Sequence, residues 1–165
     1  MGKRTRQYLG LLSAVAAYNI LHEGAHLIYA LFLGVFKQIR FMGIGMQIVV
    51  DAGRMSNTQL GIFCLLGAVT TLVAAGGLIA AADRICRAKS KVFKACMYYI
   101  TITMLFADPL YLSLMYGFFG GGDMNGIALL VSERIARLCF GALLLVNGFT
   151  FWKSVLPKYK KAFSK

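Results

Sequence analysis

Long apolar runs constrain this chain more than any other feature of its sequence. Residues 58–82 and 138–152 contain no charged side chain, and residues 95–122 contain only Asp108. A helix needs about 20 mostly apolar residues to cross the hydrocarbon layer of a bilayer. The sequence therefore predicts a single-domain, all-α polytopic membrane protein with about four transmembrane helices. We place these spans at residues 8–36, 58–82, 92–119 and 135–155.

Positive charge collects at the ends of the apolar runs. The formal net charge is +12, from 18 basic and 6 acidic residues. Basic residues precede the first run, fill the 83–94 loop and follow the fourth run, which fits the positive-inside rule. We therefore expect a multi-pass protein of a bacterial cell membrane with both termini in the cytoplasm. No basic stripe alternates with aromatic side chains on a soluble face, so the lipid bilayer is an expected partner and nucleic acid is not.

Residues 37–57, between the first two predicted spans, follow a different pattern. Apolar residues recur here mostly at every second position, on both sides of two glycines. They are Ile39, Phe41, Ile44, Met46, Ile48 and Val50, with Gly43 and Gly45 between the halves. Alternation around turn-forming residues predicts a short β-hairpin that turns near residues 42–45, with an irregular loop at the membrane interface as the alternative.

The sequence His22-Glu23-Gly24-Ala25-His26 lies inside the first predicted span. On a helix, histidines four residues apart lie on one face and can bind a single metal ion. Glu23 lies beside that face, so we expect it to act as a general base on a zinc-bound water. Histidines in a span can also simply hydrogen-bond a neighbouring helix. Ionisable groups inside a membrane are costly and usually functional, which favours the zinc site.

A catalytic zinc usually has three protein ligands and one position for water. The chain has no third histidine, and its four cysteines show no CxxC spacing, so we interpret them as buried or reduced thiols. An acidic third ligand is therefore expected. Asp123 follows a glycine run that allows close backbone approach, and Asp108 precedes a proline at which we expect a helix kink. We favour Asp123 and keep Asp108 as the alternative third ligand.

With these motifs the chain resembles the site-2 protease family of intramembrane zinc metalloproteases. The resemblance rests on the HExxH sequence in a first transmembrane helix, on the β-like segment 37–54, and on residues 67–72. In that last segment, Ala68 and Thr71 replace the proline and asparagine of the family's Gly-Pro-x-x-Asn element. The family's third ligand is an aspartate in a later helix, usually followed by glycine, and Asp123 departs from that pattern. The resemblance implies a chain near the family's minimal core, in which we expect no PDZ or CBS-like regulatory domain.

The resemblance implies hydrolysis of peptide bonds within the membrane, with Zn²⁺ as cofactor. The expected substrate is a transmembrane protein or a hydrophobic peptide, bound as an extended strand against the 37–54 segment. Candidate substrate-binding residues are Ile44, Met46 and Ile48. Two alternatives stay open: a non-proteolytic metal-binding membrane protein, such as a transporter or sensor, and an inactive protease relative that binds transmembrane segments without cutting them.

Overall fold

The computed structural model describes residues 2–43, 45–119 and 122–164, and most of these are helical. The helices are α1 (Lys3–Phe32), α2 (Asn57–Ala80), α3 (Ala82–Arg87), α4 (Lys91–Leu110), α5 (Tyr116–Phe119), α6 (Gly122–Ile127), α7 (Glu133–Thr150) and α8 (Leu156–Ser164). The strands are β1 (Phe36–Met42) and β2 (Gly45–Val50). Two π-helical turns, Tyr111–Met115 and Phe151–Val155, join α4 to α5 and α7 to α8.

Three helical segments of the described chain are long and apolar enough to cross a membrane. They are Asn57–Ala80, Lys91–Phe118 and Glu133–Ser164. These segments correspond to the second, third and fourth predicted spans, the last of which is longer than expected. The first predicted span, 8–36, is not among them, so the count of four is corrected to three. Helix α1 has 30 residues, which is length enough, but Asn19, His22, Glu23 and His26 lower its mean hydropathy.

The predicted β-hairpin is confirmed. Strands β1 and β2 are antiparallel, with Ile39 opposite Ile48 and Phe41 opposite Met46. The chain reverses after Met42, where Gly43 has a φ of 59°. Only glycine adopts this left-handed conformation without steric cost, which explains the glycine at the turn.

Helix α1 packs against both α2 and α4, and the buried polar side chains of His22, His26, Thr71 and Asp108 meet where these three helices pack together. Helix α2 begins at a capping box: the Ser56 side chain accepts from the Gln59 N–H, and the Gln59 side chain accepts from the Ser56 N–H. These bonds satisfy backbone donors that the first helical turn leaves unpaired. At the other side of the bundle, Asn147 Nδ2 donates to the Leu105 carbonyl at 2.6 Å and ties α7 to α4.

Helix α4 continues through Asp108 and Pro109 instead of ending there. Proline removes one backbone donor and crowds the preceding turn. The chain responds with the π-helical turn Tyr111–Met115, and the Ser113 hydroxyl donates to the carbonyl of Pro109 at 2.5 Å. Single π-turns inside longer helices are frequent at functional sites. This path keeps Asp108 inside the bundle, where only 2% of its surface is exposed.

Candidate metal centre

The imidazoles of His22 and His26 lie one turn apart on the face of α1 that packs against α2. Their ring centroids are 4.9 Å apart, and both side chains are buried. Ligand atoms of His22, Glu23 and His26 all lie within 4.8 Å of one another. The four-residue spacing of the histidines on a helix accounts for this arrangement.

Asp123 reaches the same point from helix α6. Its Oδ2 lies 3.1 Å from His22 Nε2, and its Oδ1 lies 3.8 Å from His26 Nε2. Met124 and Ile127, which are almost fully buried, anchor this short helix in the hydrophobic core and so fix its position. The carboxylate therefore faces the same ring nitrogen of both histidines, where a bound metal ion would need a third ligand.

Asp108 contacts the opposite edge of the His22 ring. Its Oδ1 lies 3.3 Å from His22 Nδ1 and accepts from the Tyr18 hydroxyl at 2.6 Å. Its Oδ2 accepts from the Thr71 hydroxyl at 2.5 Å. A carboxylate on the second nitrogen of a metal-binding imidazole orients the ring and raises its basicity. The two acids that the sequence left as alternatives thus occupy different places, with Asp123 beside both Nε2 atoms and Asp108 behind His22.

Helix α2 approaches both histidines closely at Gly67. A Cβ atom at this position would lie 2.5 Å from His22 Nε2 and 2.7 Å from His26 Nε2. Real Cβ atoms do not come this close to other heavy atoms, so any larger residue would push the rings away. The glycine keeps space open beside the two nitrogens that face Asp123.

Glu23 and Asn19 tie α1 to strand β2. The Ile48 N–H donates to Glu23 Oε2 at 2.9 Å, and the Met46 N–H donates to Asn19 Oδ1 at 3.2 Å. Successive residues of a strand point their backbone N–H groups to opposite edges, so the N–H groups of Met46 and Ile48, two residues apart, lie on the same edge. Because both donate to side chains of α1, this is the edge of β2 that does not pair with β1. The edge of β2 that lacks a partner strand therefore faces the histidine motif.

A cleft of about 430 Å³ opens beside these groups. Its walls include Glu23, His26 and Asp123, and also Met46 and Ile48 from β2. Two of the three residues predicted to bind substrate therefore line the cleft. The third, Ile44, lies outside the described residues.

Three further residues complete the site without having been predicted from the sequence. The Tyr18 hydroxyl donates a hydrogen bond to Asp108, and Asn19 accepts one from the backbone of β2. Phe63 packs on His26 with ring centroids 4.5 Å apart. Tyr18 precedes His22 by four residues, so the helical spacing that paired the histidines could have identified it. Asn19 and Phe63 carry no such signal, because their contacts depend on how β2 and α2 pack on α1.

The donor set fits a zinc ion. Zinc in proteins binds imidazole nitrogen and carboxylate oxygen at about 2.0–2.2 Å, so tetrahedral ligand atoms lie about 3.3–3.5 Å apart. The separations between Asp123 oxygens and the Nε2 atoms of His22 and His26, 3.1 and 3.8 Å, lie on either side of that range. Gly67 has no side chain, so the space next to these Nε2 atoms is not filled by helix α2.

Comparisons with known proteins give no relative from which a role could be transferred. No protein-family model matches the chain, and neither a curated protein nor a solved structure does. What the site does is therefore inferred from the geometry of its own side chains.

Proposed function

We propose that this chain is an intramembrane zinc endopeptidase similar to the site-2 protease family. The observation that carries the proposal is the convergence of His22 Nε2, His26 Nε2 and the Asp123 carboxylate beside Glu23. Two histidines and one carboxylate are a ligand set of catalytic zinc in peptidases, with a fourth position left for water. Glu23 is the acid of this group that is not needed as a ligand, so it is available for proton transfer.

In this proposal α1 also lies in the membrane, although it is not among the three helices that are apolar enough to span it by composition. Several of its outward side chains are large and apolar, and Leu12, Ile20 and Ile28 are 66%, 63% and 71% exposed. Lipid would cover these side chains, while the polar motif faces the other helices, as ionisable groups inside membranes generally do. The distribution of basic residues supports a topology with both termini and the 83–94 loop in the cytoplasm.

The side chains of the site divide the chemical work between them. Zinc, when bound, would polarise the scissile carbonyl and make water nucleophilic near neutral pH. Glu23 would take a proton from the attacking water and give it to the leaving amine. Asp108 would hold the His22 ring through Nδ1, so that Nε2 keeps its direction.

The substrate in this proposal is a transmembrane segment or hydrophobic peptide in extended form. A helix holds its carbonyls in internal hydrogen bonds, so the scissile segment has to unwind before attack. The edge of β2 beside Glu23 can pair with such a strand through backbone hydrogen bonds. The Ile48 N–H bonds Glu23 in the free protein. An incoming substrate carbonyl would take over this donor and release the Glu23 carboxylate toward the attacking water.

Glu23→Gln tests the proposal, because glutamine keeps the size of the side chain but cannot accept a proton. Purified protein in proteoliposomes is mixed with a library of synthetic transmembrane peptides, and products are identified by mass spectrometry. We expect cleavage to fall by about 10²–10⁴-fold, while the zinc content stays equal to that of the wild type. Glu133→Gln, which removes an exposed acid that pairs with Arg137 and does not line the cleft, is the matched control and should cleave normally. Full cleavage by Glu23→Gln would overturn the mechanism.

Zinc binding without any cleavage by the wild-type protein would favour the non-proteolytic alternatives. In that case the same preparation is tested for zinc flux into vesicles and for retention of uncleaved transmembrane peptides. Flux would indicate a transporter, and retention would indicate a relative that binds membrane segments without cutting them.

A further inference from the structure

A second cavity, of about 660 Å³, lies at the ends of α2 and α4 that are remote from the metal centre. It is bounded by helix α3, the start of α4 and helix α8. Six basic side chains line it: Arg87, Lys89, Lys91, Lys94, Lys158 and Lys161. We call this space the basic cavity. The proposed peptidase does not use it, since none of its lining residues belongs to the metal centre or to the cleft beside it.

The charge of the basic cavity is not balanced by the protein. Asp83 is the one acidic residue of its lining, and it pairs with Lys158 at 2.8 Å. Five of the six cations are therefore in excess. Like charges held around one cavity repel each other, and a bound anion would remove this repulsion.

Lys94 makes the basic cavity more than a group of surface lysines. Only 6% of its surface is exposed, and its Nζ donates to the Ala162 carbonyl at 2.8 Å. The ammonium also lies 5.8 Å from the centre of the Phe163 ring. A buried cation is costly unless it is compensated, and a carbonyl and an aromatic ring supply no negative charge. The wall of the cavity therefore holds a fixed cation that lacks an anionic partner among the described residues.

The position of the basic cavity indicates what kind of anion it meets. All three candidate spans end beside it, at Ala80, Lys91 and Ser164. The cavity therefore lies where apolar helix gives way to charged chain, at the depth of lipid headgroups. Helix α4 also begins there, and its N-terminal dipole adds to the positive field. Basic pockets between membrane helices at this depth bind anionic headgroups.

We propose that the basic cavity binds a phosphate-bearing anion, supplied by a lipid headgroup or by a free phosphate compound. Lys94 provides the fixed cation, and Lys91 and Lys161 approach the phosphate from α4 and α8. Because this site lies apart from the metal centre, its binding does not depend on the proposed peptidase activity.

The test uses the full chain in detergent and native mass spectrometry. Dioleoyl phosphatidylglycerol, dioleoyl phosphatidylcholine and inorganic pyrophosphate are titrated separately. The double variant Lys91→Gln/Lys161→Gln is compared with Arg84→Gln/Lys160→Gln, which removes the same charge from neighbouring exposed positions that do not line the cavity. We expect the wild type to bind phosphatidylglycerol about tenfold more tightly than phosphatidylcholine. The first double variant should lose this preference, and the second should keep it.

Each outcome decides one part of the proposal. Tight pyrophosphate binding that is lost in Lys91→Gln/Lys161→Gln supports the phosphate site and assigns it to a free compound. Phosphatidylglycerol preference without pyrophosphate binding supports it and assigns it to a lipid. Equal losses of binding in both double variants would overturn it, because diffuse surface charge would then explain the data. A wild type that binds phosphatidylglycerol no more tightly than phosphatidylcholine, and does not bind pyrophosphate, would also overturn it.

Discussion

Glu23 Oε2 accepts a hydrogen bond from the Ile48 N–H at 2.9 Å, so the motif glutamate and the β-hairpin hold each other in position. The proposed base and the proposed substrate-binding edge are therefore one structural unit. A change in β2 should alter the chemistry at Glu23 without removing a metal ligand.

Ile48→Pro tests this coupling. Proline has no N–H, so the variant removes the donor to Glu23 and interrupts the free edge of β2. We expect peptide cleavage to fall at least tenfold while zinc content stays at the wild-type level. Cleavage of the transmembrane peptide library and zinc analysis of the same preparation measure the two effects.

Ile39→Pro is the matched control for that experiment. Ile39 lies directly opposite Ile48, and its N–H points to the outer edge of β1, away from both β2 and the cleft. Proline at such an edge position costs no ladder hydrogen bond, so cleavage should stay close to that of the wild type. Equal activity of the Ile48→Pro and wild-type proteins would show that β2 does not bind substrate.

Gly67→Ala tests whether space beside the two Nε2 atoms is required. The added methyl group would lie 2.5 and 2.7 Å from these nitrogens, so the rings or helix α2 must shift. Overpacking of this kind typically costs about 1–3 kcal/mol, and we expect zinc affinity to fall at least tenfold. Competition with a chromophoric chelator measures the affinity, and thermal unfolding measures the stability.

Gly76→Ala provides the comparison on the same helix, because a Cβ at Gly76 meets nothing within 4 Å. Alanine has a higher helix propensity than glycine by about 1 kcal/mol, so this variant should be at least as stable as the wild type and bind zinc normally. If Gly67→Ala behaved in the same way, the metal would have to lie elsewhere.

Asp108→Asn tests the role of the acid behind His22. Asparagine keeps the shape of the side chain but loses the charge that faces Nδ1. Partners of this kind typically contribute about 10–100-fold to metal affinity. We therefore expect Asp108→Asn to weaken zinc binding by that factor without abolishing it. Complete loss of zinc would indicate that Asp108 is a ligand itself.

The elements that sequence predicted best are those set by local pattern. Uninterrupted apolar runs specify α2, α4 and α7, and alternation around Gly43 specifies the hairpin. Helix α1 is different, since the polar residues of the candidate metal centre also lower its mean hydropathy below that of a span. The same residues thus form the metal-ligand motif and explain why the chain has three apolar spans by composition instead of the four expected.

The sequence favoured Asp123 over Asp108 as the acid beside the two Nε2 atoms, but it did not specify where each carboxylate lies. Asp108 and Asp123 are 15 residues apart, and between them lies a π-helical turn that changes the rotation of the chain. Which acid faces Nε2 of His22 is therefore set by the packing of α4 on α1 and of α6 on α2. The close contact between Gly67 and the two histidine rings also depends on packing, because the distance between α2 and α1 cannot be read from any periodic pattern in the sequence.

Zinc content of the purified protein tests the central claim most directly. We expect about one zinc per wild-type chain by inductively coupled plasma mass spectrometry, and less than about a tenth of that in His26→Ala and Asp123→Ala, because two remaining ligands hold zinc weakly. Asp51→Ala, which removes an acid paired with Lys37 outside the site, should keep its zinc. A wild-type protein without zinc, or an Asp123→Ala variant with a full complement, would contradict the account.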